Sequence, residues 1–378
     1  MRLRLAVVLA VVGAGALAPA APAPATPTTS NLACATRIVS GWSLTHVVRE
    51  TVVVSAQATS LASLTSAAAQ GYGGFILFGA TAPATLPATL GSLKGLEPDH
   101  LAPMVMSDDE GGGIIRFPNL VGQWPWPQTM GATMTTAQIR ATAVTAGAAM
   151  ARAGLNTDLA PVADVDGRAV FPGESDPDGY RSFGGSPTKD AADVVAFASG
   201  LMASHVVAVV KHFPGLGGTS PDTDYGPAAT KPWSVLQSTG LVPFRAAIAA
   251  GVHAVMMSNA SIPGLTTLPA GLSSAAVSAL RHQLGFHGLI MTDALGAGAI
   301  SLRHITIAQA AVDALAAGVD QVLGSNPSTP AQALATASGM TAAIFAAVEH
   351  GVLTRAKVVA AAAQVLAANN TLSCPAAA

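Results

Sequence analysis

HVVAVVKHF, residues 205–213, is an apolar, β-branched run that ends on a lysine and a histidine. It reads as a buried strand with its polar residues gathered at the C-terminal end, and a glycine-rich loop, PGLGG, follows it. Seven more runs of the same kind lie along the chain: TVVVSA (51–56), GFILFG (74–79), PMVMSD (103–108), NTDLAPVADV (156–165), VHAVMMSN (252–259), GLIMTD (288–293) and DQVLGS (320–325). Between them lie alanine-rich stretches with apolar residues at helical spacing, such as ATAVTAGAAMARAG, DAADVVAFASGLMAS and AQAAVDALAAG, several of which end at glycine. Strand then helix, repeated eight times, argues for parallel strands with crossover helices. A single-domain α/β fold, the (β/α)8 TIM-type barrel, satisfies that pattern. The rival, an open doubly wound sheet, lacks support because no strand is followed by a GxGxxG turn.

The polar residues sit where such a barrel builds its chemistry. Asp108, Asp109 and Glu110 follow the third run, and Asp164 and Asp166 the fourth. Lys211 and His212 end the fifth, Ser258 and Asn259 the sixth, and Asp293 the seventh. In a chain with only 10% charged residues, this gathering at strand C-termini argues for an active site.

Composition excludes other classes. A chain of 378 residues, 51% hydrophobic, can bury a large core. A net charge of −2 without basic runs makes nucleic acid and anionic membrane poor partners. Metal hydrolysis lacks its signatures. There is no HExxH, and the nine histidines are dispersed, with His205, His253, His282 and His287 read as structural. No metal and no organic cofactor are therefore expected.

The N-terminus, MRLRLAVVLAVVGAGALAPA, has two arginines before an apolar run and Ala-x-Ala patterns after it. This is the pattern of a cleaved signal peptide, assigned to residues 1–25, with a Pro/Ala/Thr-rich linker over 26–44, the barrel over 45–372 and a tail over 373–378. Export makes a disulfide between Cys34 and Cys374 the expected state of the two cysteines. A lipid anchor on Cys34 fits less well, because Asn31 stands where an apolar residue is wanted. A secreted monomer without a stable membrane span is the expectation.

Carboxylates at strand ends suit glycoside cleavage, in which one attacks the anomeric carbon and another group protonates the leaving oxygen. Asp293, at the end of an apolar strand and before small residues, is the candidate nucleophile, although an N-cap role for it is equally sound physically.

At this point the motifs resemble a known family. KHFPGLGGTSPDTD (211–224) is similar to the signature segment of family 3 glycoside hydrolases in their bacterial β-N-acetylglucosaminidase (β-hexosaminidase) branch, where Asp-(Ser/Thr)-His ends the loop. SDDEGGGIIRF (107–117), LAPVADV (159–165), YRSFG (180–184) and QLGFHGLIMTDAL (283–295) have counterparts in the same order. The resemblance implies that Asp293 is the nucleophile, that Lys211 and His212 bind sugar hydroxyls, and that Asp108, Arg116 and Arg181 grip the sugar. It implies hydrolysis of terminal β-linked N-acetylglucosamine from peptidoglycan- or chitin-type saccharides.

The chain also departs from that pattern. Gly113 stands where the family has arginine, and Asn259, counted among the substrate-binding candidates, where histidine is common. Above all, Asp224 replaces the acid/base histidine of Asp222-Thr223-Asp224. Three readings stay open. Asp224 is the acid/base, with Asp222 raising its pKa; or the loop is degenerate and the protein binds sugar with little turnover; or the enzyme is a β-glycosidase for another sugar. An anionic Asp224 would repel phosphate, so water is the expected acceptor.

Overall fold

The computed structural model describes residues 29–369, apart from 99, 219, 220, 327 and 328. All eight expected strands are present: β1 (Val52–Gln57), β2 (Gly74–Phe78), β3 (Met104–Ser107), β4 (Thr157–Asp158), β5 (Val207–Phe213), β6 (Ala254–Met257), β7 (Leu289–Thr292) and β8 (Val322–Leu323). They pair in parallel in the order β8-β1-β2-β3-β4-β5-β6-β7. A bridge between Met291 and Gln321 joins the two ends, and Thr292 N–H donates to the Gln321 carbonyl at 3.0 Å. The result is a single (β/α)8 barrel.

The two-residue alternation of each strand divides the core in two. Val53, Ile76, Met104, Met106, Val207, Val209, Met256, Leu289, Met291 and Leu323 fill the barrel interior. Their neighbours Val52, Val54, Phe75, Leu77, Val105, Ala208, Val210, Val255 and Ile290 face outward into the layer beneath the helices. Those helices begin and end where local chemistry dictates. Thr135 caps Thr136–Ala153 in a reciprocal box with Gln138, and Gly154 ends it at φ +89°. Pro330–Glu349 is long and apolar enough to cross a membrane, yet Ala333, Ala337, Met340 and Ile344 are buried and it packs on β1 as an outer helix of the barrel.

The fourth run departs from expectation. Of NTDLAPVADV only Thr157–Asp158 is regular strand. Pro161 has no N–H to give the ladder, and pairing resumes at Val162, which bridges to Lys211.

The expected linker over 26–44 is corrected in part. Thr29–Ser40 is a helix, with Ala35 and Val39 fully buried, and it packs on the C-terminal helix Arg355–Ala368. That last helix places Val365 and Ala368 against the bottom of the barrel interior. The proposed signal peptide and Cys374 lie outside the described residues, and so does any pairing of Cys374 with Cys34.

Candidate active site

The same alternation that fills the barrel carries chemistry to its mouth. Met104 and Met106 point inward, and two residues on stands Asp108; Val207 and Val209 lead to Lys211; Leu289 and Met291 lead to Asp293. All three line one cavity of about 480 Å³ at the C-terminal ends of the strands. Phe78, Glu110, Arg116, Arg181, His212, Asp222 and Asp224 line it too. Of the nine catalytic and substrate-binding candidates read from the sequence, eight meet there. The exception is Asn259, which is buried away from the cavity. Its Nδ2 donates to the Ala294 carbonyl at 2.8 Å, so it braces the turn after Asp293 instead of facing a ligand.

The cavity floor is an ion-pair network. Lys211 Nζ lies 2.7 Å from Asp108 Oδ1 and 2.8 Å from Glu110 Oε1. Arg116 reaches Asp108 at 3.0 Å, with its guanidinium 5.5 Å from the Phe78 ring centre. Arg181 holds Glu110 through two nitrogens, each at 2.8 Å, and donates to the Pro177 carbonyl at 2.8 Å. Burial alone would raise both carboxyls, but the cations prevail. Lys211 and Arg116 hold Asp108 well below its ordinary range. Arg181 and Lys211 bring Glu110 down to about 2. Both acids are therefore anionic at neutral pH, and all three cations are fixed by them.

Glu110, counted from sequence among the strand-end acids but given no role there, is the partner that joins Lys211 to Arg181. Its place in a short hairpin, Asp109–Gly111 paired with Ile114–Ile115, turns it into the cavity. Asp164 was also missed as a site residue. Its Oδ2 lies 2.7 Å from His212 Nδ1, and its Oδ1 accepts from Leu216 N at 2.7 Å and from His212 N at 3.3 Å. Burial, then the Arg181 charge, lowers His212 to about 4, so the imidazole is neutral at pH 7. Burial raises Asp164 to about 6 and Asp178 well above the usual carboxylate range, the latter also through the charge of Asp164. Asp164, Asp178 and His212 have metal-like spacing. Within that cluster Asp164 anchors the His212 ring through Nδ1.

The two remaining acids face the cavity from different loops. Asp293 follows β7, its backbone N–H donating to Met257 O at 3.1 Å and its Oδ1 accepting from Ala294 N at 2.7 Å. Burial raises its pKa, and the charge of Asp224 adds to the rise against the pull of His212. Asp224 stands exposed at the rim on the loop after β5. The cavity wall strips part of its water and Asp222 adds like charge, and both raise its pKa. Asp222 Oδ1 accepts from Asp224 N at 2.9 Å, so one acid positions the other. The loop is tied at both sides, by Asp222 N to Glu174 O at 2.8 Å and by Gly298 N to Asp224 O at 2.9 Å.

The glycine at 113 has a local reason. A Cβ there would come within 2.9 Å of the Trp126 ring, and one at Gly112 within 2.0 Å. The indole sits against the hairpin tip and occupies the space a larger side chain would need.

This geometry can be set beside known proteins. Residues 73–368 match the glycosyl hydrolase family 3 N-terminal domain. The chain is 35% identical over 233 residues to the β-hexosaminidase LpqI of Mycobacterium tuberculosis, a match spanning 58% of this chain and 58% of that relative's length. The solved structure of M. tuberculosis LpqI superposes with a TM-score of 0.78 at 30% identity, covering 94% of this chain and all of that one. A β-N-acetylhexosaminidase from Beutenbergia cavernae superposes with a TM-score of 0.77, at 30% identity over 87% of this chain and 98% of that one. The chain is thus similar to β-N-acetylhexosaminidases in sequence and in structure, and it belongs to glycoside hydrolase family 3.

Proposed function

We propose that this protein is a retaining β-N-acetylhexosaminidase that removes terminal β-linked N-acetylglucosamine from peptidoglycan- or chitin-type saccharides. The observation that carries the reading is the convergence of Asp293 and Asp224 on one cavity whose floor is lined by paired cations and acids.

In this reading the sugar lies over the network. Asp108 accepts from its hydroxyls while Lys211 and Arg116 donate, and Arg181 adds a further fixed donor fork. With Asp164 ionised, His212 gives its Nδ1–H to that carboxylate, which leaves Nε2 to accept a hydroxyl proton. The Asp293 carboxylate attacks the anomeric carbon. The bond to the leaving oxygen breaks as Asp224 donates its proton to that oxygen, and the electron pair leaves with it. Water then gives a proton back to Asp224 and attacks the anomeric carbon, and Asp293 departs as carboxylate. Partial burial and the charge of Asp222 shift Asp224 upward, toward the protonated form that a general acid needs. Phosphate as acceptor is disfavoured by the negative charge of the Asp222–Asp224 pair.

Trapping tests the nucleophile. Incubation with 5-fluoro-β-N-acetylglucosaminyl fluoride, followed by peptide mass spectrometry, should place the sugar on the peptide carrying Asp293. A label on another acid, or none while wild type turns over substrate, would refute the assignment.

Export, with cleavage within the first 25 residues or so, and a Cys34–Cys374 disulfide complete the proposal. Intact-mass analysis of the protein recovered from its native host, before and after reduction, tests both.

A further inference from the structure

Three aromatic rings stand together beside the cavity. Phe171 and Tyr180 meet edge to face with centroids 5.0 Å apart, and Trp126 lies 6.2 Å from Phe171 and 6.1 Å from Tyr180. Trp126 and Tyr180 are half-buried, but Phe171 is 74% exposed. A phenyl ring held this far into solvent contributes little to the core, and an exposed apolar cluster of this kind marks a contact surface.

The cluster is held rigidly and is continuous with the site. Trp126 lies on Gly112 and Gly113, between Glu110 and Ile114, which both line the cavity. Tyr180 precedes Arg181, another lining residue, and its backbone N–H donates to Val170 O at 2.9 Å. Gln128 donates to the Arg168 carbonyl at 2.9 Å, and Arg168 pairs with Asp166 at 3.0 Å and Asp176 at 2.9 Å. The segment that carries Phe171 also holds the acid loop, through Asp222 N and the Glu174 carbonyl.

That last link decides the occupant. In the glycosidase reading the glycosidic oxygen of the leaving group lies at Asp224, on the loop that the Phe171–Glu174 segment holds through the Glu174 carbonyl. Aromatic faces bordered by charged and amide groups suit a pyranose ring, with its apolar C–H face and polar rim, better than a wholly apolar chain. We propose that Trp126, Phe171 and Tyr180 form a stacking platform for the second sugar, the one released when the terminal residue is cleaved. This rests on the glycosidase reading above. It adds a preference for saccharide leaving groups over the monosaccharide alone, set by residues on the rim.

Calorimetry on the full chain carrying Asp293→Asn, to stop turnover, tests it with two probes, N-acetylglucosamine and N,N′-diacetylchitobiose. The disaccharide should bind more tightly, and adding Phe171→Ala should cut the ratio of the two affinities by about fivefold. Phe171→Tyr should keep it. A ratio unchanged by Phe171→Ala, or both affinities falling in proportion, overturns the platform and leaves the glycosidase reading standing. Failure of both sugars to bind overturns the glycosidase reading, and the platform with it.

Discussion

The backbone carbonyl of Asp224 accepts a hydrogen bond from the N–H of Gly298 at 2.9 Å. Gly298 lies five residues beyond Asp293, so the segment leaving the proposed nucleophile holds the loop of the proposed acid. The approach is close: a Cβ on Gly298 would sit 2.5 Å from the Tyr225 carbonyl carbon and 2.8 Å from Asp224 O. Backbone at that distance has to move. Gly298→Ala should therefore push the acid loop outward and lower kcat for a disaccharide by about tenfold to a hundredfold. Affinity for free N-acetylglucosamine, placed by the proposal on the cavity floor, should change far less. Unaltered kcat would mean that the position of this loop does not matter to the reaction.

The acid pair makes a pH prediction. After burial, the charge of Asp222 is the main cause of the raised pKa of Asp224. In the proposed reaction Asp224 acts in its protonated form, so its pKa would set the alkaline limb of the rate profile. Asp222→Asn removes the charge while keeping an oxygen for Asp224 N. Asp224 should then lose its proton at lower pH, and the alkaline limb of kcat/KM should move toward acid. The acid limb, governed by ionisation of Asp293, should stay nearly in place. An alkaline limb that stays put would remove Asp224 from the acid role.

Glu110 joins Lys211 and Arg181 from a position that is 2% exposed. Glu110→Gln would leave those buried cations short of a counter-charge, at a cost of about 3–5 kcal/mol. Its folded pKa of about 2 lies below the ordinary value of 4.5. The stabilisation from ionised Glu110 is thus fully present above about pH 4.5 and is lost as the pH falls toward 2. Thermal melts should show a large gap between wild type and Glu110→Gln at pH 7 that narrows below about pH 4.5. A gap of constant size through that range would mean that the charge of Glu110 is not what holds the network.

Much of this was legible in the residues because a strand's alternation is a simple rule. Once Val207 and Val209 face inward, Lys211 must as well, and the same parity places Asp108 and Asp293 at the mouth. Other features depend on contacts distant in sequence. Glu110 gains its role from Arg181, 71 residues away, and Asp164 from His212, 48 away. No spacing within either segment announces those partners. Asn259 ends a strand like the residues that line the cavity, whereas its side chain turns to the Ala294 carbonyl. The helix Thr29–Ser40 was hidden by the Pro/Ala/Thr run just before it, and what holds it is packing on a helix at the far end of the chain. Gly113 stands where the family has arginine, and the ring of Trp126 fills the space beside it.

The central claim is that Asp224 supplies the proton a natural leaving group needs. The direct measurement is release of N-acetylglucosamine from N,N′-diacetylchitobiose by wild type, Asp224→Ala and Asp224→His, across pH 4 to 8. Wild type should cleave, and Asp224→Ala should lose about 10²–10⁴-fold in kcat on this unactivated substrate, with a much smaller loss on 4-nitrophenyl β-N-acetylglucosaminide. A silent wild type that gains activity with Asp224→His would contradict the account and leave a sugar-binding barrel that has lost its acid.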